Sequence, residues 1–382
     1  MRTFCKDHRK TTERAAPSAS AGGRHWGFFL ATTLWCLGPA GCARSSTDQP
    51  PRPIIDSHVH ISPDPESVER ALRIFDRNGI GRFCAKSAGP FGSARFRATL
   101  ELGRKLGDRL AFFSNPDWSE VDRPDFGERL AKNLEAAVRA GARGIKIFKA
   151  LGLGVRRADG KLLAPDDPML EPLWQKAGEL SAIVAWHVAD PRAFFTAPTP
   201  DNERYLELLF APGWGFHGRD YPSFDGLMAA AERVIAAHPK TTFLLIHMGC
   251  DAENLDHVDR LLRDYPNLYT DTSARVPEFG RHPAEKVRAF FIRHQDRILF
   301  GSDIVIGPGE LQLGSLSIWP DTEEDADVFY RAHREYFETD HRQIATPTPI
   351  QGAWRIDGIH LPEEVLDKLY RKNAERLIWG LP

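Results

Sequence analysis

Phe243-Leu-Leu-Ile-His247 is an unbroken apolar run closed by a histidine. A strand exposed on one face would alternate apolar with polar, so an unbroken run points to a strand buried on both faces of a parallel sheet. Seven further β-rich runs surround it: Ile54–His60, Arg82–Lys86, Leu110–Ser114, Gly144–Phe148, Ile183–His187, Leu268–Thr272 and Ile298–Asp303. Amphipathic stretches such as Phe126–Ala140 and Ser223–His238 lie between them, with Asp, Ser or Pro near their starts. Eight strands alternating with helices is the count of a closed α/β barrel, the TIM-like (β/α)8 fold, here over 53–382. An open doubly wound sheet is the alternative, but no Gly-x-Gly-x-x-Gly turn follows the first run. Three connections, 150–167, 188–222 and 304–361, are longer than a barrel needs. Each follows a strand, which puts it on the face where barrel enzymes build their sites. The last could form a lid or a subunit contact, and a final helix over Pro362–Trp379 closes the chain.

The 382 residues hold 50 basic and 52 acidic side chains, so no net field draws the chain to nucleic acid. The N-terminus has a different character. A leader rich in Arg, Lys, Ser and Ala runs into an apolar stretch, Trp26–Leu37, and then into Leu37-Gly-Pro-Ala-Gly-Cys42. That order reads as an export signal over 1–42, and the run is too short for a comfortable membrane span. Ala-Gly-Cys42 resembles a bacterial lipoprotein box, although Pro39 stands where that motif has an aliphatic residue. The expectation is an exported protein, periplasmic or held to a membrane by lipid on Cys42, with 43–52 as a tether. Cys84 and Cys250, in the body, read as small buried hydrophobes and not as a disulfide framework.

Polar residues gather where the strands end. Ile54-Ile-Asp-Ser-His58-Val-His60 places two histidines at i and i+2, which share one side of a strand. Strand five ends in Trp186-His187, strand six in Ile246-His247, and strand eight in Gly301-Ser-Asp303. A lone histidine there is more often structural, and Asp303 alone could cap a helix. Together they form the imidazole and carboxylate donor set of a divalent ion, with zinc the expected one.

These residues resemble the amidohydrolase superfamily. The closing Leu369-Tyr-Arg-Lys-Asn-Ala-Glu-Arg-Leu377 is similar to its amidohydrolase-related branch, which includes aminocarboxymuconate-semialdehyde and γ-resorcylate decarboxylases. The resemblance runs from about Pro53 to the end. It implies a distorted (β/α)8 barrel with His58, His60, His187 and Asp303 as metal ligands. His247 would act catalytically beside one ion or ligate a second. Two-metal relatives carry a carboxylated lysine on strand four, and Lys146 in Gly144-Ile-Lys146-Ile-Phe-Lys149 matches that position by strand parity.

The expected activity is hydrolysis of an ester, lactone or amide of a small molecule, with one or two ions activating water. Asp303 would then be general base and acid, His247 would stabilise the oxyanion, and Arg275 would anchor an anionic group. His217, Asp190 and the aromatics Phe194, Phe195, Trp214 and Phe216 are weaker pocket candidates. The alternative enzyme is a non-oxidative decarboxylase on a one-metal site. A non-catalytic barrel is the third reading, and retention of every ligand argues against it. A homo-oligomer is compatible with the sequence.

Overall fold

The computed structural model describes residues 52–381 except 219 and 353. The expected export signal, the expected lipid site at Cys42 and all of the expected tether but Arg52 lie outside them. Among the described residues no helix is long and apolar enough to cross a membrane.

The eight expected strands are present: β1 Ile54–Ile61, β2 Ile80–Ala85, β3 Leu110–Phe112, β4 Gly144–Ile147, β5 Ile183–Trp186, β6 Thr242–Leu245, β7 Leu268–Asp271 and β8 Ile298–Leu299. Two more follow, β9 Ile304–Gly307 and β10 Glu310–Leu313. They form two five-stranded sheets, ordered β10-β9-β1-β2-β3 and β4-β5-β6-β7-β8. Every pairing is parallel except β9 with β10. Backbone hydrogen bonds cross both seams between the sheets. Ser114 N donates to Gly144 O at 3.0 Å and Lys146 N to Ser114 O at 2.8 Å; on the other side Ser57 N donates to Phe300 O and Asp303 N to His58 O, each at 2.9 Å. The result is a TIM-type barrel.

One expected element needs correction. The eighth strand stops at Leu299 instead of Asp303, because past it Phe300 N donates to Leu369 O at 2.9 Å and Gly301 N to Thr272 Oγ1 at 3.1 Å, outside the ladder; Asp303 itself has φ 65°. The segment after it is not all loop. Ile304-Val-Ile306 pairs with β1, and Gly309, with φ 66°, lets the chain reverse into β10. The rest of 304–361 carries a helix, Glu323–Glu338, whose Thr322 and Asp325 form a reciprocal cap.

Alternation along the strands separates two apolar sets. Ile55, Cys84, Ala111, Phe113, Ile183, Ala185, Leu244, Ile246 and Leu299 form one buried cluster, the barrel interior. Their neighbours, such as Ile54, Phe83, Phe112, Val184 and Phe243, join the larger layer under the helices. Ala374, Ile378 and Trp379, from the last helical stretch, pack against the interior set. Trp379 Nε1 donates to Asp108 O at 2.8 Å, just before β3, so this stretch covers the end where strands begin. The opposite end is left for polar side chains. Helix starts follow the sequence signals: Asp64 accepts from Ser67 N, Ser93 from Phe96 N and Ser223 from Gly226 N.

Candidate metal centre

The register of β1 against β2 shifts between Asp56 and Val59. This bulge lets Ile55, His58 and His60 all face inward while Val59 packs outward. The His58 and His60 rings stand 5.2 Å apart, and the Nε2 of each lies 3.2 Å from Asp303 Oδ1. His247 joins them: ligand atoms of His58, His247 and Asp303 all lie within 4.8 Å of one another. His187 stacks edge-on to His247 with ring centres 4.4 Å apart. Lys146 is fully buried, its Nζ 3.5 Å from His58 Nε2. Residues from five strand ends, expected from sequence to meet, do meet.

Electrostatics suit a cation. Burial pushes the His58, His60 and His247 imidazoles below their usual range, and His187 down to about 4. Burial also pushes the Lys146 ammonium down to about 7. It would raise Asp303, but the polar groups around that carboxyl outweigh it and bring it to about 2. Neutral imidazoles around an ionised carboxylate are the protonation states that a divalent metal requires. His187 Nε2 is buried as well, with the Asp190 carboxylate 3.2 Å away. The residues present therefore fit a divalent metal.

Arg275 is buried at the edge of the cluster, where its charge helps lower His247. Its Nη1 donates to Ala274 O at 2.8 Å and its Nε lies 3.9 Å from Glu278 Oε1. Asp190 is buried, ion-paired with Lys149 and 3.2 Å from His187 Nε2. His217 is exposed. The loop aromatics pack on one another, Phe194 against Trp214 and Phe195 against Phe216, so they anchor the loop.

Three buried polar residues were not foreseen. Asp271, at the end of β7, places Oδ2 3.0 Å from His58 Nδ1. Ser273 Oγ lies 2.9 Å from His58 Nδ1 and 3.0 Å from His247 Nδ1. Both stand at a strand end in Asp271-Thr-Ser-Ala-Arg275, the same positional signal that marked the other residues. Lys86, at the end of β2, is buried with Nζ 3.9 Å from the Phe113 ring centre and no hydrogen-bond partner among the described residues. Lys86→Met, which removes a buried polar group without a hydrogen-bond partner and keeps its volume, should stabilise the protein by about 1 kcal/mol; a fall in the denaturant midpoint would refute that account.

Gly301 presses against the centre. A Cβ there would lie 2.8 Å from His58 Cβ and 3.3 Å from Ser273 Cβ. Gly301→Ala should therefore displace His58 and weaken metal affinity by about tenfold or more, read by competition with a chromophoric chelator. Unchanged affinity would mean that the ring position is not limiting.

The family model for amidohydrolases matches residues 116–378. A solved structure of 2,6-dihydroxybenzoate decarboxylase with 2,6-dihydroxybenzoate bound is 17% identical, covers 86% of this chain and 99% of its own, and superposes with a TM-score of 0.50. A structure of 2,6-dihydroxybenzoate decarboxylase from Rhizobium gives the same values. No curated protein matches the chain. At this identity the likeness carries the barrel fold. The expectation of ester, lactone or amide hydrolysis is corrected here, because both of these structures are decarboxylases. The error has a simple source: His and Asp donors select a class of ion and not a reaction, so their spacing could not separate the two chemistries. With a family model matched across most of the barrel and the cluster of histidines and aspartate at its mouth, the chain is an enzyme of the amidohydrolase family.

Proposed function

We propose that this protein is a metal-dependent, non-oxidative decarboxylase of small carboxylic acids, with hydroxylated benzoates as the first class to consider. The compact His58–His247–Asp303 cluster carries the reading, on a barrel shared with a 2,6-dihydroxybenzoate decarboxylase over 86% of the chain. The reaction takes R–COO⁻ and one proton to R–H and CO2 and consumes no water. His58, His60, His187 and Asp303 would hold the ion, for which zinc suits the donors. The ion would supply a fixed positive charge to anchor substrate oxygens. Lys146 is then a neighbour of His58 and not a bridge between two ions. Arg275 would hold a second anionic group of the substrate.

His247 is the proton carrier in this scheme. Burial keeps its ring neutral, and an anionic substrate beside it offsets that effect. Nε2 can then take a proton and pass it to the carbon that loses CO2. A panel of hydroxybenzoates given to the zinc-loaded protein should release CO2, with solvent deuterium appearing at the vacated carbon. Turnover of esters or lactones without CO2 from any acid would sink the proposal. Chelation should also lower the melting temperature and zinc should restore it, because a ligand that binds only the folded state stabilises it. A melting temperature indifferent to both would argue against a bound ion.

A further inference from the structure

We propose that Asp271, assisted by Ser273, is a positioning residue that fixes the tautomers of His58 and His247, so that each presents a bare Nε2 to the centre. The proposal rests on reading these histidines as site residues, and not on which reaction the site performs.

Hydrogen-bond direction decides the tautomers. A carboxylate oxygen only accepts, so the His58 nitrogen facing Asp271 Oδ2 at 3.0 Å carries the hydrogen, and that nitrogen is Nδ1. His58 Nε2 then holds a lone pair. The same logic applies to His247, whose Nδ1 lies 2.9 Å from the Ser273 carbonyl oxygen, also an acceptor only. Ser273 Oγ donates to Asp271 Oδ1, which leaves its lone pairs for the Nδ1 hydrogens of both rings, at 2.9 and 3.0 Å. With its hydrogen on Nδ1, the His58 Nε2 lone pair meets the ionised Asp303 Oδ1 at 3.2 Å. Two acceptors in that position repel, and a cation between them turns the repulsion into coordination.

Asp271 also holds His247 through its backbone. Residues 247–250 have φ of 57°, 51°, 67° and 59°, a left-handed turn in which only residue 249 is glycine. Such a run is costly for L-residues and persists only where surrounding groups impose it. Two adjacent β7 side chains do so. Asp271 Oδ1 accepts from His247 N at 2.9 Å. Thr270 Oγ1 accepts from Gly249 N and donates to Leu245 O, each at 2.8 Å. One carboxylate therefore serves both histidines: Oδ2 orients the His58 ring, and Oδ1 pins the turn that carries His247.

The test reads ring nitrogens and metal affinity, with no substrate present. In metal-free wild-type full chain, ¹⁵N shifts should show His58 and His247 protonated at Nδ1. Asp271→Asn can turn its amide NH2 towards His58, moving the hydrogen to Nε2. Affinity for zinc(II) alone, by chelator competition, should fall 10- to 100-fold while the circular dichroism spectrum stays native. Ser273→Ala keeps the carboxylate and should show a smaller loss with the wild-type tautomers. Asp271→Asn with unaltered tautomer and affinity would overturn the proposal. Should that variant not fold, Nε2–H on wild-type His58 would overturn it equally. If the wild-type tautomers stand and no acid is decarboxylated, the functional reading fails while this one holds.

Discussion

Asp303→Asn is expected to cut kcat/KM at least about a thousandfold, or ~4 kcal/mol of transition-state stabilisation, with bound metal lost in parallel. Asp303 Oδ1 lies 3.2 Å from the Nε2 of both His58 and His60, so one oxygen meets two of the expected ligands. Its carboxyl is held at about 2 by the polar groups around it, against the opposing pull of burial. The amide keeps the shape and removes the charge, leaving neutral imidazoles with no anion to balance a divalent cation. Its left-handed backbone tolerates asparagine, so the fold should survive. Metal per chain and kcat/KM, measured on the same preparation, check the claim. A variant that keeps both metal and turnover would remove Asp303 from the centre.

Gly144→Ala should be the most destabilising small substitution at the barrel seam, costing about 4 kcal/mol or more. A Cβ at Gly144 would stand 1.9 Å from Ile183 O, 2.7 Å from Ile183 N and 2.8 Å from Ile183 C. These atoms belong to the backbone of β5, which cannot rotate away as a side chain would, so β4 and β5 must separate. Gly144 O also accepts the Ser114 N–H that joins the two sheets, so the strain reaches the seam. Gly81→Ala is the control, because a Cβ there meets nothing within 4 Å. Denaturant midpoints for the two variants should differ widely. Similar midpoints would show that the β4–β5 contact relaxes at little cost.

Much of this barrel could be read residue by residue before any coordinates. Strand positions followed from apolar runs bounded by turns, and the inward direction of His58 and His60 from the two-residue period of a strand. His58 and His60 share one face even though β1 bulges, because the shift lies between Asp56 and Val59 and leaves the His58-Val-His60 alternation intact. The truncation of β8 was not visible, since nothing local distinguishes Asp303 with φ 65° from an aspartate ending a regular strand. Hydrolysis was expected from a set of donors whose residue types name a divalent ion and not a reaction. The error lay in asking the metal-binding side chains to identify a substrate that other residues recognise.

What the sequence determined by itself was the set of strands and the chemical type of their ends: imidazoles on strands one, five and six, a lysine on four, an aspartate on eight. These are local properties, written in period and residue type. Only the tertiary structure decided who orients whom. Asp271 meets His58 across 213 residues, and the left-handed turn at His247 stands because β7 supplies Thr270 and Asp271 to hold it. No periodicity encodes such pairings, because they exist only once eight strand ends converge on one mouth and place distant side chains within hydrogen-bond reach.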